Sequence, residues 1–424
     1  MGEIRKENLH QSLIEYLDDL DKSVSDIGTL SNLSTSEKSS LVGATNEIFN
    51  MLYSMATKLS NVKQIACGYH YTFILKNDGS LWACGNNNKG QVGLGDDTNR
   101  NTFTQVTTNI NNDVKQIACG YYHTFILKND GSVWCCGYNN NGQLGLGDDT
   151  NRNTFTQVTN DAKQIACGYY HTFILKNDGS LWACGDNNEG QLGLGDDTNR
   201  NTFTQVTTNI NNDVKQVVCG NDFTFIIKND GSVWSCGYNI NGQLGLGISD
   251  TYKTTFTQVT ANINNDVKQI ACGRNHTFII KNDGSVWACG NNSYGELGLG
   301  NTGTNETRFT QVTTNINKDV KQIACGYNNT IILKYNGSVW SCGNNSRGQL
   351  GLGDTNNKYT FTQVTNNINN DVIQISCGFY HTLILKNDGS IWGCGRNNEG
   401  QLGIGDGANS DHSTIKKINP LTIF

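Results

Sequence analysis

Proline is almost missing from this chain of 424 residues, occurring once, at Pro420. Its 48 glycines therefore do not belong to a proline-rich disordered tract; they recur between short apolar segments, as turns do. No apolar run approaches the ~18 residues of a membrane span, and the opening stretch 1–19 lacks the apolar core of a secretory signal. The expectation is a soluble chain, made in the cytoplasm without a signal peptide and without membrane insertion. A dense Lys/Arg block is also missing, and the net charge is −6. Both argue against a nucleic-acid surface. Cys-x-x-Cys pairs and histidine clusters are absent as well, so the 15 cysteines read neither as a metal site nor as a small disulfide scaffold.

What is present is a repeat. The seven tryptophans stand at 82, 134, 182, 234, 287, 340 and 392, spaced by 52, 48, 52, 53, 53 and 52 residues. Each is followed two residues later by Cys-Gly. A second Cys-Gly precedes each one, at Cys67, Cys119, Cys167, Cys219, Cys272, Cys325 and Cys377. With Cys135, these two sets account for every cysteine. One unit reads VKQIACG, TFILK, NDG, SLWACG, a polar loop, GQ-L-GLG and a second loop ending in TFTQV. The apolar pieces are short, β-branched or aromatic, and bounded by turn residues, as strands are. Asn77-Asp78-Gly79 between two of them fits a tight hairpin, because these residues tolerate positive φ. Four short strands per unit, repeated seven times, define the fold class: all-β, a seven-bladed β-propeller. In the last unit TFTQV is replaced by Ser413–Ile418. If each TFTQV strand belongs to the following blade, Ile415–Ile418 must return to blade 1 and close the ring with strands from both chain ends.

Ile117–Gly147 resembles the repeat of the regulator of chromosome condensation family: G-x-x-H-T, then D-G, then W-x-x-G, then N-x-x-G-Q-L-G. The pattern recurs from residue 62 to about 418. Kelch repeats are similar in length, but their Gly-Gly pair is absent. The resemblance implies a seven-bladed propeller. It implies no particular activity. The founding member exchanges nucleotide on a small GTPase through an inserted β-wedge, and no unit here carries an insertion. A plant photoreceptor of the family uses tryptophans in G-W-R-H-T, where this chain has Gly120-Tyr121-Tyr122-His123.

The first sixty residues differ in character. Leu13, Leu17, Leu20, Val24 and Ile27 follow a heptad seam, which predicts an α-helical, coiled-coil extension that needs partners to be stable. Ser34-x-x-Glu37 is a capping box, and Leu41, Thr45, Ile48 and Leu52 mark one face of the helix it starts, which read by itself is an amphipathic helix packed against the propeller. The stretch 27–49 also resembles the I-G-x-L-S-x-L-(S/T)-T-x-x-K-x-S-L-V-x-A-x-N-E segment of bacteriophage tail fibre and baseplate-associated proteins. That resemblance implies a homo-oligomer, with a trimer as one form, and phage baseplate or tail proteins as partners. The domains expected are thus 1–60, a helical attachment and oligomerisation segment, and 61–424, the propeller.

Candidate chemistry is thin. Histidines 123, 171, 276 and 381 recur at one unit position, with Tyr71, Phe223 and Asn329 in its place elsewhere. Distributed one per blade, they do not converge on a metal, and each is expected to hydrogen-bond its own blade. Cys67 and Cys84, on first and third strands roughly 10 Å apart, are too distant for a disulfide, and read as small buried residues. GQVGLG is not a phosphate loop, since Walker-type Gly-Lys-Ser is absent. The Asp96-Asp97, Asp148-Asp149 and Asp196-Asp197 loops lack the spaced ligands of calcium loops. No catalytic set, metal or cofactor is expected.

The units disagree just after the first Cys-Gly, which places Tyr69, Tyr121, Tyr122, Tyr169, Tyr170, Arg274, Tyr327, Phe379 and Tyr380 at variable positions along one rim. A second variable loop carries Lys89, Tyr138, Asp186, Glu189, Tyr238, Tyr294, Arg347, Arg396 and Glu399. Tyrosine and arginine on a polar rim favour recognition of a protein or a cell-surface glycan receptor; simple drift at exposed turns is the alternative reading of the same variability. The leading expectation is a non-enzymatic receptor-binding component of a phage tail or tailocin, carried on a virion. The second is an intracellular propeller scaffold or small-GTPase regulator.

Overall fold

A computed structural model describes residues 62–110, 113–263, 266–316, 318–406 and 410–418. The helical and coiled-coil expectations for residues 1–60, including the seam from Leu13 to Ile27, lie outside the described residues. The described chain forms seven four-stranded antiparallel sheets, each built from strands consecutive in sequence. These blades run Val62–Val106, Val114–Thr159, Ala162–Gln205, Val214–Gln258, Val267–Gln311, Val320–Val364 and Val372–Ile418.

Blade 1 shows why the unit folds as it does. Its first and second strands, Val62–Cys67 and Tyr71–Lys76, pair across a three-residue turn. Every residue of the second strand is buried, because blades cover both of its faces. Between the second and third strands, Gly79 adopts φ +79°, which closes the turn at no Cβ penalty. Lys76 N donates to Ser80 O at 2.9 Å, and Asp78 Oδ1 accepts from Ser80 N at 2.9 Å. The same turn fixes the tryptophan: Trp82 Nε1 donates to Ser80 Oγ, and Lys76 Nζ lies 4.3 Å above the indole.

The core is not central. It consists of seven apolar clusters, one between each pair of adjacent blades. The glycine-dense loop reaches across each seam. In blade 1, Leu94 bridges Thr154 of blade 2, and Gly95 N donates to Asn153 O at 2.8 Å. A Cβ on Gly93 would lie 2.5 Å from the Phe155 ring, so side chains are excluded where the loop lies on its neighbour.

Ring closure corrects the sequence expectation. His412–Ile418 pairs with Ile391–Gly395 as the outer strand of blade 7, and Arg100–Val106 (containing TFTQ) is the outer strand of its own blade 1. Among the described residues no strand is exchanged between the ends. Blades 7 and 1 meet through the contacts that join the others, including the Thr102–Ile404 bridge.

Candidate functional site: an aromatic arc at the axial opening

The first strands surround the axis, and their Cys-Gly ends line one cavity of about 190 Å³. The glycine lets the turn close. At Gly120 a Cβ would sit 2.2 Å from the His123 ring and 2.7 Å from Gly168 O of the next blade. The residue after each glycine faces the opening, and backbone hydrogen bonds join these turns from blade to blade. Tyr121 N donates to Tyr169 O, Tyr169 N to Asn221 O, Arg274 N to Tyr327 O, Tyr327 N to Phe379 O and Phe379 N to Tyr69 O, at 2.9–3.3 Å.

This belt brings six of the sequence-selected residues into one arc. Ring centroids lie 3.9 Å apart for Tyr169–Tyr121, 3.8 Å for Tyr121–Tyr69, 4.2 Å for Tyr69–Phe379 and 3.6 Å for Phe379–Tyr327. Arg274 ends it, its guanidinium 4.2 Å over Tyr327. Asn221 fills the remaining position around the opening. Tyr122, Tyr170 and Tyr380 stand in the following turn position, with Tyr122 and Tyr170 near Tyr138 of the second loop, at 6.5 and 5.6 Å. The two variable loops share an end of the ring, because Tyr138 N donates to Tyr122 O and Arg396 N to Tyr380 O, both at 2.8 Å.

The arc is apolar on one side and acidic on the other. Burial pushes the Asp222 carboxyl up to about 6, the charges of Asp186 and Glu189 add to this, and the Asn221 hydrogen bond and Arg274 oppose it. Burial raises Tyr121 and Tyr170 well above the ordinary phenol range, with neighbouring tyrosines adding; these phenols stay neutral. Residue ranking missed Asn221 and Asp222, although both stand at the variable turn positions that singled out the others.

The histidine expectation needs correction in direction. His123, His171, His276 and His381 each place Nε2 3.0–3.1 Å from a threonine of the next blade: Thr172, Thr224, Thr330 and Thr72. Each threonine hydroxyl donates to a loop carbonyl, as Thr172 does to Gln143 O at 2.9 Å, so it accepts from an Nε2–H imidazole. Burial pushes His123 down to about 3, which keeps it neutral in that role. These histidines sew blades together.

All 15 cysteines are free. Burial lifts the Cys67 thiol to about 12 and Cys84 well above its usual value, the opposite of an activated nucleophile. The double-aspartate loops are braced internally: Asp96, Asp148 and Asp196 pair with Arg100, Arg152 and Arg200, each at 2.6 Å.

Fold and site together define a repeat propeller whose conserved positions are architectural and whose variable ones gather at one axial opening. Comparison with known proteins places it further. The sequence profile of the RCC1-like domain matches residues 44–264 and 159–423, and the chain belongs to that family. The ultraviolet-B receptor UVR8 of Arabidopsis thaliana is 28% identical over 344 residues, covering 81% of this chain and 67% of its own length. The human probable E3 ubiquitin-protein ligase HERC3 is 40% identical over 300 residues, or 70% of this chain. The chain spans only 28% of that protein's length, so the activity in its name belongs to the whole ligase. Among solved structures, yeast RCC1 (Prp20) bound to Kap60 matches with TM-score 0.72 at 18% identity, covering 86% of each chain. Human WBSCR16 matches with TM-score 0.70 at 22% identity, over 80% of this chain and 94% of its own. These structures share the fold. The family lends no support to the tail-borne, virion or glycan-receptor expectations, and fits the second expectation, a propeller scaffold or small-GTPase regulator, better.

Proposed function

We propose that this chain is a non-enzymatic protein-binding scaffold that docks its partner on the axial face carrying Tyr69, Tyr121, Tyr169, Tyr327 and Phe379. The observation that carries this is the arc itself: five half-buried aromatic rings and an arginine in continuous contact at a solvent-facing opening. Tyrosine and arginine, with tryptophan, are enriched among the hot spots of protein interfaces, and rings that already brace one another lose little freedom on binding. The scaffold reading is preferred over a GTPase exchange factor because the described units carry no inserted wedge. A solved yeast protein of this fold, RCC1 (Prp20), is bound to another protein, Kap60.

A randomised peptide display library, selected on the immobilised protein, tests this reading. Enriched peptides should bind the double variant Tyr121→Ser/Tyr169→Ser at least about tenfold more weakly, the scale of one lost hot spot. They should bind Tyr335→Ser normally, since Tyr335 is 61% exposed in a second-to-third-strand turn at the other end of its blade. Binders that depend on Tyr335 and ignore Tyr121 and Tyr169 would place recognition on the wrong face.

A further inference from the structure

Beside the arc, between blades 5 and 6, lies a polar cleft of about 400 Å³ whose walls include Arg274, Tyr327, Tyr294, Asn275, Asn291 and Asn344. Arg274 is the one charged residue among the seven that follow the first Cys-Gly. Its guanidinium is held on the Tyr327 ring. Among the described residues no carboxylate comes within ion-pairing distance of it, and its side chain makes no hydrogen bond. Asp222 of blade 4 takes its hydrogen bond from Asn221, at 2.8 Å.

The asparagines decide what the cleft accepts. Asn275 Oδ1 accepts from Gln243 Nε2 at 3.4 Å. Asn291 Oδ1 accepts from Ser293 N at 2.7 Å. Asn344 Oδ1 accepts from Gln349 Nε2 at 2.8 Å and from Ser346 Oγ at 2.9 Å. With these oxygens engaged by the protein's own donors, the NH2 groups of these three asparagines are the ends left for a ligand, and Asn328, also on the wall, keeps both ends of its amide available. Three amide N–H donors and a guanidinium complement a group with acceptors only, which among unmodified protein side chains is a carboxylate. At the edge of the cleft Tyr294 is 39% exposed, a platform for an apolar neighbour of that carboxylate.

We propose that this cleft takes an aspartate or glutamate side chain of a protein partner, with an adjacent apolar residue lying on Tyr294. The inference rests on the protein-binding reading of this face and adds the chemistry of its anchor. The probe is an acetylated, amidated peptide, Ala-Phe-Glu-Phe-Ala, carrying a neutral dye, compared by fluorescence polarisation with its glutamine isostere. The glutamate peptide should bind at least about fivefold tighter than the isostere, and the gap should shrink between about 50 and about 500 mM salt. Arg274→Gln should erase that preference, and Arg274→Lys should retain part of it, with circular dichroism confirming both folds. Equal binding of the two peptides, a preference that survives Arg274→Gln, or no binding of either peptide at millimolar concentration would each overturn the proposal. If library-selected peptides still depend on Tyr121 and Tyr169 in that event, the acidic anchor alone fails. If they do not, the face itself is wrong.

Discussion

At the scale of single residues, seven-fold repetition lets each position be compared with its own copies. Six units carry glutamine in the loop that crosses to the next blade: Gln91, Gln143, Gln191, Gln243, Gln349 and Gln401. In two of them the amide donates to an asparagine oxygen five residues back, Gln91 to Asn86 and Gln349 to Asn344, both at 2.8 Å. Unit 5 has Glu296 instead, fully buried. Its Oε2 accepts from Tyr294 N at 2.7 Å, and its Oε1 has no partner. An ionised carboxylate has no proton to give in glutamine's place, and burial holds Glu296 up to about 7 from an ordinary value of 4.5. The sign follows. Below pH 4.5 the group is protonated folded or unfolded. Between 4.5 and 7 only the folded state keeps the proton, so stability falls as pH rises through this window. Glu296→Gln should therefore stabilise the protein by about 1–2 kcal/mol at pH 8, and by clearly less at pH 5. Urea denaturation of both proteins at the two pH values checks this, and a gap independent of pH would show that Glu296 is not buried as described.

At the scale of the element, the unit is a set of turns whose glycines serve two different ends, and substitution separates them. Gly131 sits in a hairpin at φ +84° with its nearest neighbour, Asp161 N, 3.5 Å from a built Cβ. Gly131→Ala meets conformational strain alone and should cost about 1 kcal/mol. Gly120 lacks positive φ, yet its Cβ would strike the His123 ring at 2.2 Å, so Gly120→Ala should cost about 3 kcal/mol through forced repacking. Urea midpoints that rank the two the other way would refute this division. The hairpins were legible in the sequence because Asn-Asp-Gly carries its own backbone preference. The aromatic arc was legible because variable positions stood out against a uniform repeat. Two features were not. A cyclic repeat has no marked beginning, so its period cannot say whether TFTQV closes its own blade or opens the next; the pairing of Trp82 with Gln105 decides that. Nor does sequence spacing tell a histidine bond to Thr124 from one to Thr172, because the choice depends on how two blades stack. The donor character of the Arg274 cleft was hidden for a related reason, since an asparagine's free end depends on which neighbour takes the other.

For the whole molecule, the mode of closure determines how the ring holds together. Exchange of strands between the chain ends would make the seam between blades 7 and 1 unlike the rest. Instead it repeats their contacts. His381 Nε2 reaches Thr72 at 3.1 Å as His123 reaches Thr172 at 3.0 Å. Ile65 N donates to Gln374 Oε1 at 3.2 Å as Ile165 N does to Gln116 Oε1 at 3.3 Å. The apolar cluster at the seam is built from the same strand positions, with Leu385 and Ile391 meeting Ile65, Ile74 and Phe103. Covalent continuity is then incidental at every seam, because lengthening or relocating a surface connection changes closure entropy only slowly. A circular permutant that retains all residues, joins Phe424 to Met1 by a short Gly/Ser linker and opens the chain between blades 3 and 4, within Thr207–Asp213, should fold to the same ring. Its melting temperature should stay within about 5 °C of the parent, a difference of roughly 4 kcal/mol at ~2.1 cal/mol/K per residue for a domain of this size. A permutant that loses its near-ultraviolet tryptophan signal, or melts more than about 10 °C lower, would show that one seam depends on the chain running through it.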